Sequence, residues 1–311
     1  MKIILPLLLT LIAHVALAEK LAITFDDLPL NGSLPAGMTE VDIVKAVLPI
    51  LKATQGPPVY GFINARKLEG NRKAAEALRL WVSGGQLVAN HTYSHLDLTK
   101  STPAEFRREI LMNEPALRLL STKDDWRYFR YPYLHEGDTL EKRHEVRAML
   151  RELDYSIAQV TLDHEDYLWN SAYARCLDKK DEKAIAWLRS SYLQTAEAYF
   201  QLQRQLAQQV YGREINHVLL LHLGAFSSEI LPDLFKLLAR QGFTLVSLEE
   251  AQRDPGPGPG GRILGGALLS CRRGRTEVRR FPGGHGEAAQ HRDLGRVHAV
   301  GKDPCRWPHG A

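Results

Sequence analysis

The chain has 311 residues, 44% hydrophobic and 24% charged, which suits one large α/β domain or two small ones. Its three cysteines exclude a disulfide scaffold: Cys176 has no partner in the body of the chain, and Cys271 and Cys305 lie in an anomalous C-terminal stretch. The formal charge of +4 implies no nucleic-acid partner, because that same stretch carries it.

The N-terminus reads as a processing signal. Lys2 gives a positive start, Ile3 to Val15 is nearly continuous hydrophobe, and Ala16-Leu17-Ala18 is a small-x-small cleavage site. Residues 1–18 are therefore expected to be a removed secretory signal, with an uncleaved anchor or a buried strand as alternatives. The apolar run is short for a bilayer, so no stable membrane span is expected after cleavage. The expected location is periplasmic or secreted.

Lys20 to Phe25 is a short strand ended by Asp26 and Asp27, and a loop rich in Pro, Gly and Asn follows. Thr39 caps the first helix, with Asp42 three residues on as an approximate capping box. Val59 to Ile63 is a strand, Asn71 to Ser83 a helix stopped by Gly84-Gly85, and Gln86 to Ala89 a third strand. Asn90-His91-Thr92-Tyr93-Ser94-His95 comes next. Its two histidines, four apart, would meet on one side of a helical turn and could reach one metal ion; two solvated loop histidines are the plainer alternative.

Pro103 to Leu120 is helical, Tyr128 to Arg130 is a strand broken at Pro132, and Leu140 to Leu153 is helical. Ser156 to Thr161 is a strand ending in the acidic run Asp163-His164-Glu165-Asp166-Tyr167. From Ser171 to Tyr211 the pattern is helical, roughly 60 Å long if unbroken. His217 to Leu221 is an apolar strand ending at His222. A helix over Leu231 to Arg240 and a strand over Phe243 to Val246 complete the pattern. Alternating strands and helices argue for an α/β architecture with a mainly parallel sheet. About seven such units could close into a barrel or remain an open sheet.

Three segments result: 1–18, a signal; 19–253, the body; and 254–311, a basic Gly/Arg/Pro-rich tail. The tail holds ten Arg and Lys against five Asp and Glu, more than the whole excess of the chain. It reads as a disordered extension, a polyanion-binding arm or an out-of-frame translation.

In a parallel α/β sheet, functional groups gather where strands end. Five strand ends here carry polar sets: Asp26-Asp27, His91 with His95, Arg130-Tyr131-Pro132-Tyr133, Asp163 to Tyr167, and His222. Singly, each has an ordinary explanation, such as a helix cap, a surface ion pair or a satisfied core histidine. Together they suggest a chemistry. One Asp and two His form a three-ligand set with positions open for water, as a catalytic divalent metal requires. Adjacent Asp side chains diverge on a strand, so the second could act as base, its pKa held low by Arg130. A separate His is then available as general acid.

In order, Thr24-Phe25-Asp26-Asp27, His91-Thr-Tyr-Ser-His95, Arg130-Tyr-Pro-Tyr133, Asp163-His-Glu-Asp166-Tyr167 and Leu220-Leu-His222 resemble the five motifs of the polysaccharide deacetylase family (NodB-like, carbohydrate esterase family four). The resemblance covers roughly residues 20 to 250. It implies a distorted (β/α) barrel of NodB-homology type with a divalent metal at one end: zinc first, with cobalt, nickel or manganese as alternatives. It implies Asp27, His91 and His95 as metal ligands, Asp26 as catalytic base, Arg130 as the group orienting it, and His222 as catalytic acid oriented by Asp166. The Tyr133 backbone N–H would stabilise the oxyanion, and Leu220 would line the acetyl pocket.

The implied activity is a metal-dependent hydrolase of non-peptide carbon–nitrogen bonds that removes N-acetyl groups from an amino-sugar polysaccharide or oligosaccharide. The sequence departs from the family where Leu28, Leu134, Tyr167 and Leu223 replace its usual Gly, Gly, Trp and Asp. These positions flank the chemistry and bear on substrate. An amidohydrolase or O-acetyl esterase acting on another small acylated substrate is the alternative, and a glycan-binding pseudo-enzyme a third.

Overall fold

In a computed structural model of the chain, residues 19–121, 123–254 and 304–305 are described; the proposed signal and most of the tail lie outside them. The strands are β1 (Glu19–Leu28), β2 (Tyr60–Ile63), β3 (Leu87–Asn90), β4 (Tyr128–Phe129), β5 (Ser156–Ile157), β6 (His217–His222) and β7 (Phe243–Leu245). The helices are α1 (Glu40–Ala53), α2 (Arg72–Ser83), α3 (Pro103–Leu120), α4 (Leu140–Glu152), α5 (Tyr167–Asp178), α6 (Glu182–Tyr211), α7 (Ser227–Arg240) and α8 (Leu248–Gln252). No helix among the described residues is long and apolar enough to cross a membrane.

Every strand pairing is parallel, in the order β5-β4-β3-β2-β1-β6, with β7 against the start of β1. The sheet curls. Beyond β5 the chain reaches β6, where Leu162 bridges Leu219 and the Thr161 and Leu162 N–H groups donate to Val218 O. The result is the distorted (β/α) barrel, its closing edge made by irregular chain. The expected strand over 156–161 is therefore shortened to two residues.

Strand alternation sorts the side chains. On β1, Leu21, Ile23 and Phe25 pack outward beneath the helices, while Ala22, Thr24 and Asp26 alternate with them; on β6, Leu219 and Leu221 face out and Val218, Leu220 and His222 alternate. The interior is a small second cluster, Ala22, Tyr60, Phe62, Ala89, Ala158 and Val218, closed from below by Leu248 and Ala251 of α8. The same period that builds this plug puts Asp26 and His222 at its top, on neighbouring strands and in register.

Helix starts follow the capping chemistry in the sequence. The Asp42 carboxylate accepts from the N–H and hydroxyl of Thr39, Asn71 accepts from the Ala74 N–H, and Thr102 with Glu105 forms a reciprocal capping box before α3. The helical stretch over 171–211 is two helices, not one. The chain breaks at Lys179 to Asp181, where Lys180 is left-handed (φ 56°) and Asp181 caps α6 through the Ala184 N–H. Helix α6 alone has 30 residues, about 45 Å. α7 begins a turn before Leu231, with Pro232 inside it and Ile230, Leu231 and Leu234 buried. Cys176 of α5 finds its partner in the tail, forming a disulfide with Cys305.

Three buried asparagines fix the loops over the strand ends. Asn113 of α3 accepts from the Ala65 N–H and donates to Ile63 O and Asn90 Oδ1; Asn90 donates to Ile110 O and accepts from the Thr92 N–H; Asn64 donates to the oxygens of His91 and Thr92. Replacing Asn113 by Ala strands several buried backbone and amide groups at once. We expect Asn113→Ala to lower unfolding free energy by at least about 2 kcal/mol in urea titration, against tenths of a kcal/mol for an exposed α3 position.

Candidate active site

All five polar sets reach the C-terminal mouth of the barrel. Asp26 and Asp27 end β1, His91 follows β3, Arg130 follows β4, and His222 ends β6, with Asp166 immediately before α5.

Asp27, His91 and His95 bring one potential ligand atom each within 4.8 Å of one another. His95 Nε2 lies 3.4 Å and His91 Nε2 3.9 Å from Asp27 Oδ1. The geometry differs from the helical turn expected for the histidine pair. Residues 91–97 form an irregular loop in which Thr92 and His95 are both left-handed (φ 63°), and the rings meet edge to face at 4.9 Å. The Asn64 and Asn90 bonds hold this loop, which frees it from helical geometry. Asp27 is also left-handed (φ 63°), at an irregularity in the β1–β2 register. Its carboxylate is thereby turned to the same opening as Asp26, rather than diverging from it as strand neighbours do: His91 Nε2 is 3.8 Å from Asp26 and 3.9 Å from Asp27. Three such residues in one site are a concentration of backbone strain of the kind found at functional centres.

The donor chemistry suits a divalent metal. His91 Nδ1 lies 2.8 Å from Arg130 O, which fixes the tautomer and points the Nε2 lone pair at the cluster. Burial pushes both imidazoles down to about 4, with His91 adding to the effect at His95, so both are neutral at pH 7. Burial would raise Asp27, but Lys67, then His91 and His95, outweigh it and hold the carboxyl well below the usual range. Two neutral imidazoles and a carboxylate are a zinc-type ligand set with room for further ligands.

Beside this cluster, Asp26 and Arg130 form a buried ion pair at 3.2 Å, 2% and 1% exposed. Arg130 Nε donates to Ala158 O at 2.7 Å, its NH2 to Thr24 Oγ1 at 3.2 Å, and its guanidinium stacks on Phe62 at 4.5 Å. The expectation that Arg130 holds Asp26 low is corrected: burial is the largest influence and raises it, and Arg130 and His222 offset only part.

Across the mouth, His222 Nδ1 lies 2.7 Å from Asp166 Oδ1, and the His222 N–H donates to Asp166 Oδ2 at 2.8 Å. Burial would lower His222; the Asp166 charge and hydrogen bond reverse this and raise it to about 9. Leu220 shares the His222 side of β6, opposite Thr24. Tyr133 is left-handed (φ 58°) and exposed, its ring 4.4 Å from that of His95, while the Tyr167 ring stands 5.3 Å from His222.

Several contributors lie outside the sequence motifs. Asn31 Nδ2 donates to Asp27 Oδ2 at 2.9 Å, and Asn31 Oδ1 accepts from Asn170 Nδ2 of α5 at 3.3 Å. Lys67 donates to Asp27 O and Leu30 O. Gln203 of α6 holds Asp163 from both sides, accepting its N–H and donating to its carbonyl, and His164 is wedged between Tyr192 and Phe200. Asn31 and Lys67 stand in the sequence only as polar loop residues, and Asn170 and Gln203 only as polar residues in a helical stretch, signals with no specificity.

The fold and site thus define a (β/α) barrel with a carboxylate–imidazole centre at its strand ends. Residues 16–158 match the Polysaccharide deacetylase family. The matched stretch contains Asp26, Asp27, His91, His95, Arg130 and Tyr133 and stops short of Asp166, Leu220 and His222. The chain is similar to a chitin deacetylase of Arthroderma benhamiae, 26% identical over 158 residues; these are 51% of this chain and 38% of that relative, so the match spans well under half of the relative's length. The fold is similar to a carbohydrate esterase family 4 pseudoenzyme from Bacillus anthracis (TM-score 0.52, 15% identity, 75% of this chain and 65% of that one). It is also similar to a peptidoglycan N-acetylglucosamine deacetylase (TM-score 0.50, 18% identity, 75% and 87%).

A histidine raised to about 9 from its ordinary 6.5 stabilises the fold fully below about pH 6.5, and this stabilisation is lost as pH rises through about 9. Unfolding free energy from this source should fall by roughly 3 kcal/mol over that window. Asp166→Asn should flatten the slope; an unchanged slope in urea titrations from pH 6 to 9.5 would assign it to another group.

Proposed function

We propose that the protein is a metal-dependent deacetylase that hydrolyses N-acetyl amides of an amino-sugar glycan. One observation carries the reading: a raised, buried carboxyl (Asp26) and a histidine held protonated (His222) sit in register on adjacent strands, beside a three-donor metal cluster. Two titratable groups pushed toward opposite roles are the signature of paired base and acid.

Asp27, His91 and His95 are the residues that would hold a divalent ion, zinc by its ligand types. When bound, such an ion supplies positive charge to polarise the carbonyl and acidify water. Asp26, oriented by Arg130, accepts the proton of the attacking water as the carbon–oxygen bond forms. The Tyr133 N–H donates to the developing oxyanion. His222, oriented by Asp166, gives its proton to the nitrogen as the carbon–nitrogen bond breaks, leaving acetate and a free amine. Leu220, on the His222 side of β6, would line the acetyl methyl. The exposed rings of Tyr133 and Tyr167 border the opening and suit the apolar faces of sugars.

The chitin and peptidoglycan named for similar proteins make N-acetylglucosamine polymers the first substrates to try. Export is part of the same reading. It is supported by the apolar start of the chain and by the Cys176–Cys305 disulfide, which suits an oxidising compartment.

Acetate release from chitooligosaccharides and peptidoglycan fragments, with metal analysis, tests the assignment. Asp27→Ala should lose zinc. Asp26→Ala and His222→Ala should keep zinc, with turnover reduced on the order of 10²–10⁴-fold. Equal zinc content in the two aspartate variants would sink the division of roles between Asp26 and Asp27. Glycan binding without acetate release from any acylated substrate would make the protein a binding module.

A further inference from the structure

Lys67 stands in the 3₁₀ turn Ala65–Leu68 that follows β2, outside every motif. Its Nζ donates to Asp27 O at 2.7 Å and to Leu30 O at 3.1 Å, and lies 3.5 Å from Asp27 Oδ1. That oxygen is the one nearest both imidazoles, 3.4 Å from His95 Nε2 and 3.9 Å from His91 Nε2. The other carboxylate oxygen is occupied by the Asn31 amide. An ammonium therefore sits against the single atom that Asp27 offers to a shared cation.

We propose that Lys67 is an internal competitor for the metal site: its charge balances Asp27 in the metal-free protein and makes divalent-metal binding weaker and more readily reversible. The inference rests on the reading of Asp27, His91 and His95 as the metal ligands. A fixed cation beside a ligand carboxylate attracts that carboxylate in the empty site and repels a divalent ion in the filled one, and both effects oppose uptake. The partly buried position, with 35% of the side chain exposed, leaves the charge incompletely screened. The two carbonyl contacts give Lys67 a second effect, tethering the loop after β1. A tether alone would predict the opposite outcome, since loosening the loop disorganises the ligand and weakens binding.

Zinc affinity of the full purified chain, measured by competition with a chromogenic chelator, separates the two. Lys67→Gln keeps an amide donor and removes the charge, Lys67→Met removes both, and Lys67→Arg keeps the charge. Lys67→Gln and Lys67→Met should bind zinc at least about ten-fold more tightly than the wild type, and Lys67→Arg should stay near it. The melting temperature of the two neutral variants should fall without metal and recover with zinc. Zinc affinity equal to or weaker than wild type in both neutral variants would overturn the inference, as would a lowered melting temperature that zinc does not restore. Asp27→Ala is the control for the site itself. If it binds zinc as the wild type does, the metal reading fails and this inference with it; if it loses zinc, the Lys67 series alone decides.

Discussion

A carboxylate closed off from water must be paired or neutralised, and the upper part of this barrel is arranged around that constraint. Asp26 tops an interior that below it is only Ala22, Thr24 and their apolar neighbours. Arg130 reaches it from β4's end and is itself buried, so each of its nitrogens needs an acceptor: Asp26, Ala158 O and Thr24 Oγ1 supply them. These contacts tie together β1, the end of β4 and the irregular segment that closes the barrel. The ion pair is thus a positional device. Its net contribution to stability is small in principle, whereas losing one partner would be costly.

The second demand is to hold strained backbone. Asp27, Thr92 and His95 occupy left-handed geometry without being glycine, and each such residue costs on the order of 1 kcal/mol or more. The asparagines at 64, 90 and 113 act as the offsetting framework, since an amide can donate and accept at once and so joins two loops through one side chain. Their bonds reach Thr92 and the carbonyls around it, and Asn31 with Lys67 does the same for Asp27. Burial of those amides beneath the loops makes this strain sustainable.

The layered plan was legible because period-2 and period-3.6 patterns are local. The strands that carry Asp27, Asn90 and His222 and the starts of α1, α2 and α3 follow from residues within a turn of themselves. The site was legible to the extent that its groups sit at strand ends. What escaped depended on distance or on competition between effects. The 91–95 spacing has two folded solutions, and Asn64 and Asn90 select the irregular one. The β5 strand stops early because its later residues turn to close the barrel against β6. The break at Lys180, the pairing of Cys176 with Cys305, and the balance in which burial outweighs Arg130 at Asp26 all require three-dimensional neighbours. The roles of Asn31, Lys67, Asn170 and Gln203 do as well.

The helices α5 and α6 enter the chain between the closing segment and β6, and they could be taken for an ornament on the barrel's flank. Asn170 reaches Asn31, and through it the outer oxygen of Asp27; Gln203 grips the backbone of Asp163, three residues before Asp166. Gly224 passes so close to Asn170 that a Cβ there would fall 2.1 Å from the Asn170 side chain. This pair of helices is consequently in mechanical series with both halves of the chemistry. The five motifs transplanted onto a barrel with a different connection at this point would carry the right residues on the wrong supports. Selection on α5 and α6 and selection on the mouth of the barrel would act as one.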